Sequence, residues 1–569
     1  MVKSKMTVSE YLVDYLISVG VTDVFGIPGG VVLDFLYAIE ERSPIINAHL
    51  SFHEQGAAFA ASGYAQIFGT LGVAYATRGP GIANTYTAIA DAYYDSTPML
   101  VITAHSYNGK RTKRRIELNQ EQDLGELFPP ITKYYKRIEI VEEAILEIEK
   151  ACIIALSDRK GPVVLDFNRS VFSKDLNLDN YKKTMNEYVL NNVDNSILEV
   201  ISSTLMKSNK PIFLIGDGIH QSNTENEILE LAHRIQIPVL SSRYSQDVMP
   251  NSEFFFGYIG SHGLRYSNFI LDKSDLIIVL GNSMEFPTNS TTFKKILDNK
   301  KIIRFEIDSA ECSREINGVD SYKINLKNLF ILLHNKNLQY SGKNEWLNVC
   351  NKLKESLNDY DIGEPICNIS NLLKIIPINY TIVNDVGNNE FFVCRAYAFA
   401  KVSHRILFSK SYGSMGSSLP KAIGVYYKTK KPVISFAGDQ GFQMNIQELQ
   451  FLARDQLPIV VVILNNTSSG MIRSRQKKLF NSNFLHTTID SGYSVPNFKA
   501  IANGYGIDYL NFSELKNVDN FFNNINKPYI IEIFIDENFD LSPNISLGDS
   551  CQNMTPYLDK NLFVMLNDL

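Results

Sequence analysis

Two short runs carry residue types that can do chemistry together. Gly438-Asp439-Gln440-Gly441 follows the apolar run 432–437, and Leu464-Asn465-Asn466 ends the apolar run 458–464. If both runs are parallel strands, Asp439 and Asn466, 27 residues apart, stand side by side at the carboxyl edge of one sheet. That edge is where doubly wound folds bind ligands. One carboxylate, one amide oxygen and a nearby backbone carbonyl form a hard oxygen set suited to Mg²⁺ that keeps diphosphate oxygens in its shell. Gly438 and Gly441 let a phosphate approach the backbone closely. Taken singly, the first run reads as a tight turn and the second as the start of a loop. The pairing at this spacing is what points to chemistry.

Elements able to position such groups recur along the chain. Residues 1–180 alternate helices with short apolar strands: Thr7 and Glu10 read as a capping box, and 24–27, 45–48, 72–77, 99–103 and 162–166 read as strands. Continuous apolar runs such as 99–103 belong to parallel sheets covered on both faces. The polar stretch 168–195 reads as a linker. Strands at 211–216, 275–280 and 302–308 mark a second α/β unit over 195–340, and the polar run 338–360 reads as the next boundary. A third unit, 365–569, holds strands at 381–386, 432–437, 458–464 and 529–535 and ends in a tail from 537, readable as a lid, a partner-contacting arm or a frayed end. The first and third units resemble each other weakly, each placing a Gly-rich signal after an apolar strand. The expected fold is α/β, with three doubly wound parallel-sheet domains.

Composition sets the outer bounds. At 569 residues the chain exceeds the roughly 300 residues over which one hydrophobic core grows. With 55 basic and 61 acidic residues the net charge is −6, which gives no support for a nucleic-acid or basic membrane-surface binder. The dense basic run Lys110-Arg111-Thr112-Lys113-Arg114-Arg115 is local. Six scattered cysteines without a CxxC pair argue against a disulfide scaffold or thiolate zinc site. The polar first ten residues and the lack of a long uncharged apolar run lead to the expectation of a cytoplasmic enzyme with no membrane span.

The paired runs resemble the thiamin-diphosphate signature, which begins Gly-Asp-Gly and ends Asn-Asn, with Gln440 in the third position here. The continuation Gly441-Phe442-Gln443-Met444-Asn445-Ile446-Gln447-Glu448-Leu449 resembles the acetolactate synthase (acetohydroxyacid synthase) branch of that superfamily. Further resemblances are Phe25-Gly26-Ile27-Pro28-Gly29-Gly30, His53-Glu54-Gln55-Gly56, Gly79-Pro80-Gly81-Ile82-Ala83-Asn84, Gln120-Glu121 and Gly413-Ser414-Met415-Gly416. The resemblance implies a pyrimidine-binding, a central and a diphosphate-binding domain. It implies thiamin diphosphate and Mg²⁺ as cofactors, with Glu54 the carboxylate at N1′ of the aminopyrimidine. Asp439, Asn466 and the Ser468 carbonyl would hold the metal, Met415 would wedge between the cofactor rings, and Gln120 would lie near the substrate. Gly29, Gly30, Pro80, Asn84, Gly413, Gly438, Gln440, Gly441, Gly470 and Met471 fall in the cofactor-binding stretches. It also implies a homodimer, often paired into a tetramer, with Glu54 and the metal site of each active centre on different subunits.

Three positions depart from the family pattern, all on the acceptor side. Ser283 in Gly281-Asn282-Ser283-Met284 replaces an arginine, Arg475 stands in the place of a tryptophan, and Asn119 in the place of a phenylalanine. These departures favour decarboxylation of pyruvate or a similar 2-keto acid with transfer to a larger, polar acceptor, such as a nucleotide-linked keto-sugar or another phosphate-bearing carbonyl compound. Arg475, Arg473 and the run 110–115 would then meet the acidic group. The alternatives are ordinary acetolactate synthesis and a non-transferring decarboxylase, lyase or oxidase. FAD is left open: Gly216-Asp217-Gly218, His262-Gly263, Asn268 and Glu306-Ile307-Asp308 lie where flavin-binding relatives contact the dinucleotide, yet the glycines read equally well as strand-end turns.

Overall fold

The computed structural model describes residues 6–106, 115, 118–176, 196–285, 297–335, 338, 340, 344–514, 518–546 and 549–569. The basic residues 110–114 and most of the expected linker lie outside the described residues. After β1 (Met6–Thr7) come β2 (Asp23–Gly26), β3 (Asn47–Leu50), β4 (Gly72–Tyr75), β5 (Met99–His105), β6 (Tyr134–Ile138) and β7 (Pro162–Asn168). β8 (Asp175–Leu176) pairs antiparallel with β1. The central strands are β9 (Pro211–Ile215), β10 (Val239–Ser241), β11 (Phe255–Tyr258), β12 (Leu276–Leu280), β13 (Lys301–Glu306) and β14 (Val319–Lys323). The last set is β15 (Thr381–Asn384), β16 (Ile406–Phe408), β17 (Val433–Gly438), β18 (Ile459–Asn465), β19 (Asp508–Asn511) and β20 (Tyr529–Phe534).

Three parallel six-stranded sheets result, with orders β3-β2-β4-β5-β7-β6, β11-β10-β9-β12-β13-β14 and β16-β15-β17-β18-β20-β19. β5 and β18 are buried at every position, as strands covered on both faces must be. The first and third sheets have the same topology, so the faint sequence likeness of those units reflects a repeated architecture. In each, the strand order reverses between β2 and β4 or between β15 and β17, which creates the crevice where such folds take ligands.

By packing, the chain forms two compact units. One comprises 1–187, 379–389 and 406–536; the other comprises 188–378, 390–405 and 537–569. Within the first, the helices Glu54–Gln66 and Ser418–Thr429 cross backbone to backbone. A Cβ on Gly424 would sit 1.8 Å from the Ala60 carbonyl oxygen, and one on Gly63 2.1 Å from that of Lys421. The first helix is buried from Gly56 to Gln66, the pattern of a helix enclosed on all sides. Beside the crossing, Lys421 Nζ donates to Asp91 Oδ2 at 2.7 Å, with both side chains fully buried.

The second unit corrects the boundary expected at 338–360. Asn344–Leu357 is a helix with Trp346, Cys350, Leu353 and Leu357 buried; four apolar residues at spacings of three and four were hidden among polar neighbours. Trp346 Nε1 donates to the Pro211 carbonyl at 3.0 Å. The tail belongs to the same unit and is not frayed. Buried Arg265 donates to the Met554 and Pro556 carbonyls at 2.8 and 2.6 Å and pairs with Asp361 at 2.6 and 2.8 Å. No helix among the described residues is long and apolar enough to cross a membrane.

Because no space exists at the crossing, Gly424→Ala should cost about 3 kcal/mol of stability or more. Denaturant unfolding of the purified variant checks this, and an unchanged midpoint would mean that the two helices can separate without penalty.

Candidate active site

The register of the third sheet brings the paired runs together. β17 and β18 are parallel neighbours with Gly438 opposite Leu464, so Asp439 and Asn466 emerge beside each other at the switch-point edge. Asp439 is buried. Burial raises its carboxyl above the ordinary range, and Tyr493 together with backbone N–H groups of Gln440, Thr467 and Asn466 draws it partly back. Tyr493 O–H donates to Asp439 Oδ1 at 2.6 Å.

The Asn466 side-chain amide donates to the Ser468 carbonyl oxygen at 2.7 Å and to Asp439 Oδ2 at 3.3 Å. Asp439, the Asn466 amide and the Ser468 carbonyl thus converge within hydrogen-bond reach of one another. With the amide turned over, its oxygen would join the other two in offering three hard oxygens to a divalent cation. Among the described residues no three His, Cys, Asp or Glu side chains gather as a metal cluster. A set with a single carboxylate suits a hard divalent ion that completes its shell with ligand oxygens.

Around the triad the backbone is shaped for close approach. Gly470 abuts the Asn466 amide, where a Cβ would lie 2.6 Å from Nδ2. Asp385, just past β15, accepts from Val386 N at 2.8 Å and from Gly416 N at 2.9 Å. Its burial pushes its pKa up to about 7, against the pull of these N–H groups. Asn445 Nδ2 donates to the Gly416 carbonyl at 2.8 Å. Gly416 is thus pinned from both sides, while Gly413 and Met415 are exposed. Gly438 lies beside Asn389, Gly441 against Asp385, and Met471 is exposed at the head of the helix Gly470–Leu479. Exposed Gln440 lines a polar cleft of about 420 Å³ with Gln443, Met444, His486, Gly492, Tyr493 and Ser494.

The first domain supplies a second constellation. Glu54 opens the helix Glu54–Gln66, whose N-cap His53 accepts from Gln55 N through Nδ1 at 3.1 Å. Asn84, expected at the cofactor, donates Nδ2 to Glu54 Oε2 at 3.0 Å. Gly29 and Gly81 pack on Thr77, and a Cβ on Gly81 would lie 3.2 Å from Glu54 Oε1. Gly30 and Pro80 are exposed. Gln120 is exposed, with φ of +59°, an uncommon backbone for a residue with a Cβ. Its carbonyl faces Gly79, itself at positive φ. Glu121 holds this loop by accepting from Arg78 Nη1 at 2.9 Å and Ser106 N at 2.8 Å. Tyr493, Asp385, Glu121 and Arg78 were not singled out for these contacts. Each is a common residue type whose partner lies far off in sequence or in a turn.

The acceptor-side residues are placed unevenly. Asn119 and Arg475 are exposed. Arg473, expected to face an acidic ligand, is instead buried, with its guanidinium 5.3 Å from the Phe484 ring centre. In the central unit, the groups that suggested a flavin have structural employment. Gly216 N donates to the Leu280 carbonyl at 3.1 Å and Gly218 N to that of Gly281 at 2.9 Å. Asn282 Nδ2 donates to the Ile215 carbonyl at 3.1 Å, which stitches the switch-point edge together. Asn268 brackets Gly260, Glu306 accepts from Ile307 N, and Asp308 caps the helix Ser309–Ser313. The carbonyls of His262 and Ser283 accept from Arg395 and Arg314. These bonds account for the glycines and the amide without a dinucleotide.

Tyr493→Phe should raise the Mg²⁺ concentration at half-saturation about tenfold, the usual scale for losing a group that orients a ligand. Titration of Mg²⁺ in the presence of thiamin diphosphate measures it, and a superimposable curve would detach Tyr493 from ion binding.

Comparison with known proteins agrees with this geometry. Family models described as the N-terminal TPP binding, central and C-terminal TPP binding domains of thiamine pyrophosphate enzymes match residues 6–124, 198–324 and 385–533. The acetolactate synthase large subunit of Lactococcus lactis is 31% identical over 558 residues, covering 95% of this chain and 94% of its own. The probable acetolactate synthase large subunit of Methanocaldococcus jannaschii is 30% identical, covering 93% and 92%. Chloroplastic acetolactate synthase 1 of Oryza sativa is 29% identical, covering 96% and 87%. With its three parallel sheets matched along nearly the whole length, the chain belongs to the thiamine pyrophosphate enzymes, in the family of acetolactate synthase large subunits.

Proposed function

We propose that this enzyme decarboxylates pyruvate and joins the resulting two-carbon unit to a second 2-keto acid, the reaction that its relatives' name, acetolactate synthase, describes. The observation that carries the cofactor assignment is the convergence of Asp439, Asn466 and the Ser468 carbonyl, a triad just past the ends of β17 and β18. Thiamin diphosphate, when bound, supplies the carbon that takes up the keto acid and releases CO₂. The triad would hold Mg²⁺, and the backbone at Gly413, Gly438, Gln440, Gly441, Gly470 and Met471 would line the diphosphate. Met415, standing out from a loop fixed at Gly416, props the rings apart. Gly29, Gly30 and Pro80 line the pyrimidine side, and Gln120 faces the substrate.

Glu54 exchanges a proton with the ring nitrogen N1′. Its contact with Asn84 holds one oxygen, so the other is directed without needing a cation beside it. Met415, Gln440 and Met471, which the cofactor should cover, are exposed in the single chain. This supports a homodimer, or a pair of dimers, in which Glu54 of one subunit works with the triad of the other. The reading needs no flavin.

Ser283, Asn119 and Arg475 favour a second reading, in which the acceptor is a phosphate-bearing ketone such as a nucleotide-linked keto-sugar. Burial of Arg473 removes one of the cations that reading invoked, and the relatives' names favour the first.

Glu54→Gln should abolish decarboxylation while leaving cofactor binding intact; an active variant would sink its assignment. Co-assembly of Glu54→Gln with Asp439→Ala chains, each inactive alone, should restore about one quarter of wild-type activity, because half of randomly formed C₂ dimers would be hybrid with one intact site. No recovery in verified hybrid dimers would place both groups of a site on one chain. With pyruvate as sole substrate, acetolactate should form and be identified by mass. CO₂ release without acetolactate, and a new product only when a phosphate-bearing ketone is added, would transfer the assignment to the second reading.

A further inference from the structure

The turn that presents Glu54 is held by side chains from the diphosphate-binding domain of the same chain. We propose that Glu448 is a positioning residue for Glu54: its buried carboxylate fixes the turn 52–54 by accepting backbone N–H groups, and so sets where the Glu54 carboxylate meets the aminopyrimidine. The inference rests on the role given to Glu54 above.

Glu448 closes the run that begins at Gly438, and its side chain is fully buried. Oε1 accepts from His53 N at 3.0 Å and Phe52 N at 3.2 Å, and Oε2 lies 3.4 Å from Phe52 N. Gly56 makes room for it, since a Cβ there would come within 2.4 Å of Oε1. A second side chain grips the same turn. Arg454 Nη1 donates to the Leu50 carbonyl at 2.9 Å, and its guanidinium lies 5.6 Å from the centre of the Phe52 ring. The peptide leading into Glu54 is therefore held at both ends, by an anion on its N–H groups and a cation on a carbonyl.

Stability alone does not explain the choice of residue. A buried carboxylate without a cation bonded to it is costly, and apolar groups of similar volume often serve a fold as well or better. Burial pushes Glu448 up to about 7, eased by the Phe52 and His53 N–H groups and by Arg454. What the carboxylate gains is directional: it fixes two amides immediately before the reactive side chain. Three residues upstream, Asn445 holds the Gly416 carbonyl beside Met415. A single segment, 445–448, thus places both the Met415 loop and the Glu54 turn. Displacement of a reacting group by about 1 Å costs on the order of a hundredfold in rate, so small slackness here is measurable.

The test uses full-length protein reconstituted with thiamin diphosphate and Mg²⁺, comparing wild type, Glu448→Gln, Gly56→Ala and Glu54→Gln. Three quantities are read: cofactor affinity by calorimetry, exchange of the cofactor's C2 proton by quench and NMR, and the thermal midpoint of the cofactor-free protein. Glu448→Gln keeps the shape and one acceptor oxygen but removes the charge and puts an NH₂ where Oε2 lies 3.4 Å from Phe52 N. It should leave affinity unchanged and the midpoint unchanged or higher, while slowing C2-proton exchange by about 10- to 100-fold. Gly56→Ala, which displaces the carboxylate while keeping it, should slow exchange in the same direction. Wild-type exchange in Glu448→Gln would overturn the proposal. So would loss of affinity, midpoint and exchange in parallel, which is what a purely structural residue produces. Wild-type exchange in Glu54→Gln would instead overturn the assignment of Glu54 itself.

Discussion

Everything in the catalytic unit depends on two helices that touch backbone to backbone. Gly63 and Gly424 let Glu54–Gln66 and Ser418–Thr429 approach until a single methyl group would collide with a carbonyl. Glu54 heads the first helix, and the Met415 loop runs directly into the second. The crossing therefore sets the placement of both within one chain. The buried Lys421–Asp91 pair next to it adds specificity more than strength. Desolvation offsets much of its attraction, yet removing one partner would strand a charge at a cost of about 3–5 kcal/mol.

A second theme is the buried carboxylate held by amides. Asp385 takes Gly416 and Val386, Glu448 takes Phe52 and His53, and Asp95 takes Lys410 and Ser411 at 2.7 and 2.8 Å. Burial pushes each up to about 7, with Asp91 adding repulsion at Asp95. Because these groups bind protons more tightly when folded than unfolded, their contribution to stability is fullest in acid and is lost as pH rises through about 7. Near neutrality the enzyme carries that cost in return for fixed loops around its cofactor.

Much of this was legible from local pattern. Continuous apolar runs located most of the sheet strands, because strands buried on both faces leave an unmistakable signature. The segment 344–357 was not legible as a helix, since its four buried residues are spread through a polar run. Tyr493, Asp385 and Glu448 escaped for a different reason. Each acts through contacts with residues distant in sequence, and nothing in the residues beside them records those contacts. Arg473 and Arg475 sit two apart on one helix, yet one is buried and the other exposed. Their charge was visible in the sequence; their direction was not.

By itself the sequence determined the family, the three-sheet architecture and the adjacency of Asp439 and Asn466. Those follow from contiguous motifs and from the rule that parallel strands end at one edge. Only the tertiary structure decided that the Asn466 amide meets the Ser468 carbonyl and Asp439 Oδ2, that Tyr493 donates to Asp439 Oδ1, and that Glu448 reaches back to the turn of Glu54. Those depend on distances of a few ångströms between residues tens to hundreds of positions apart, which packing sets and composition does not encode.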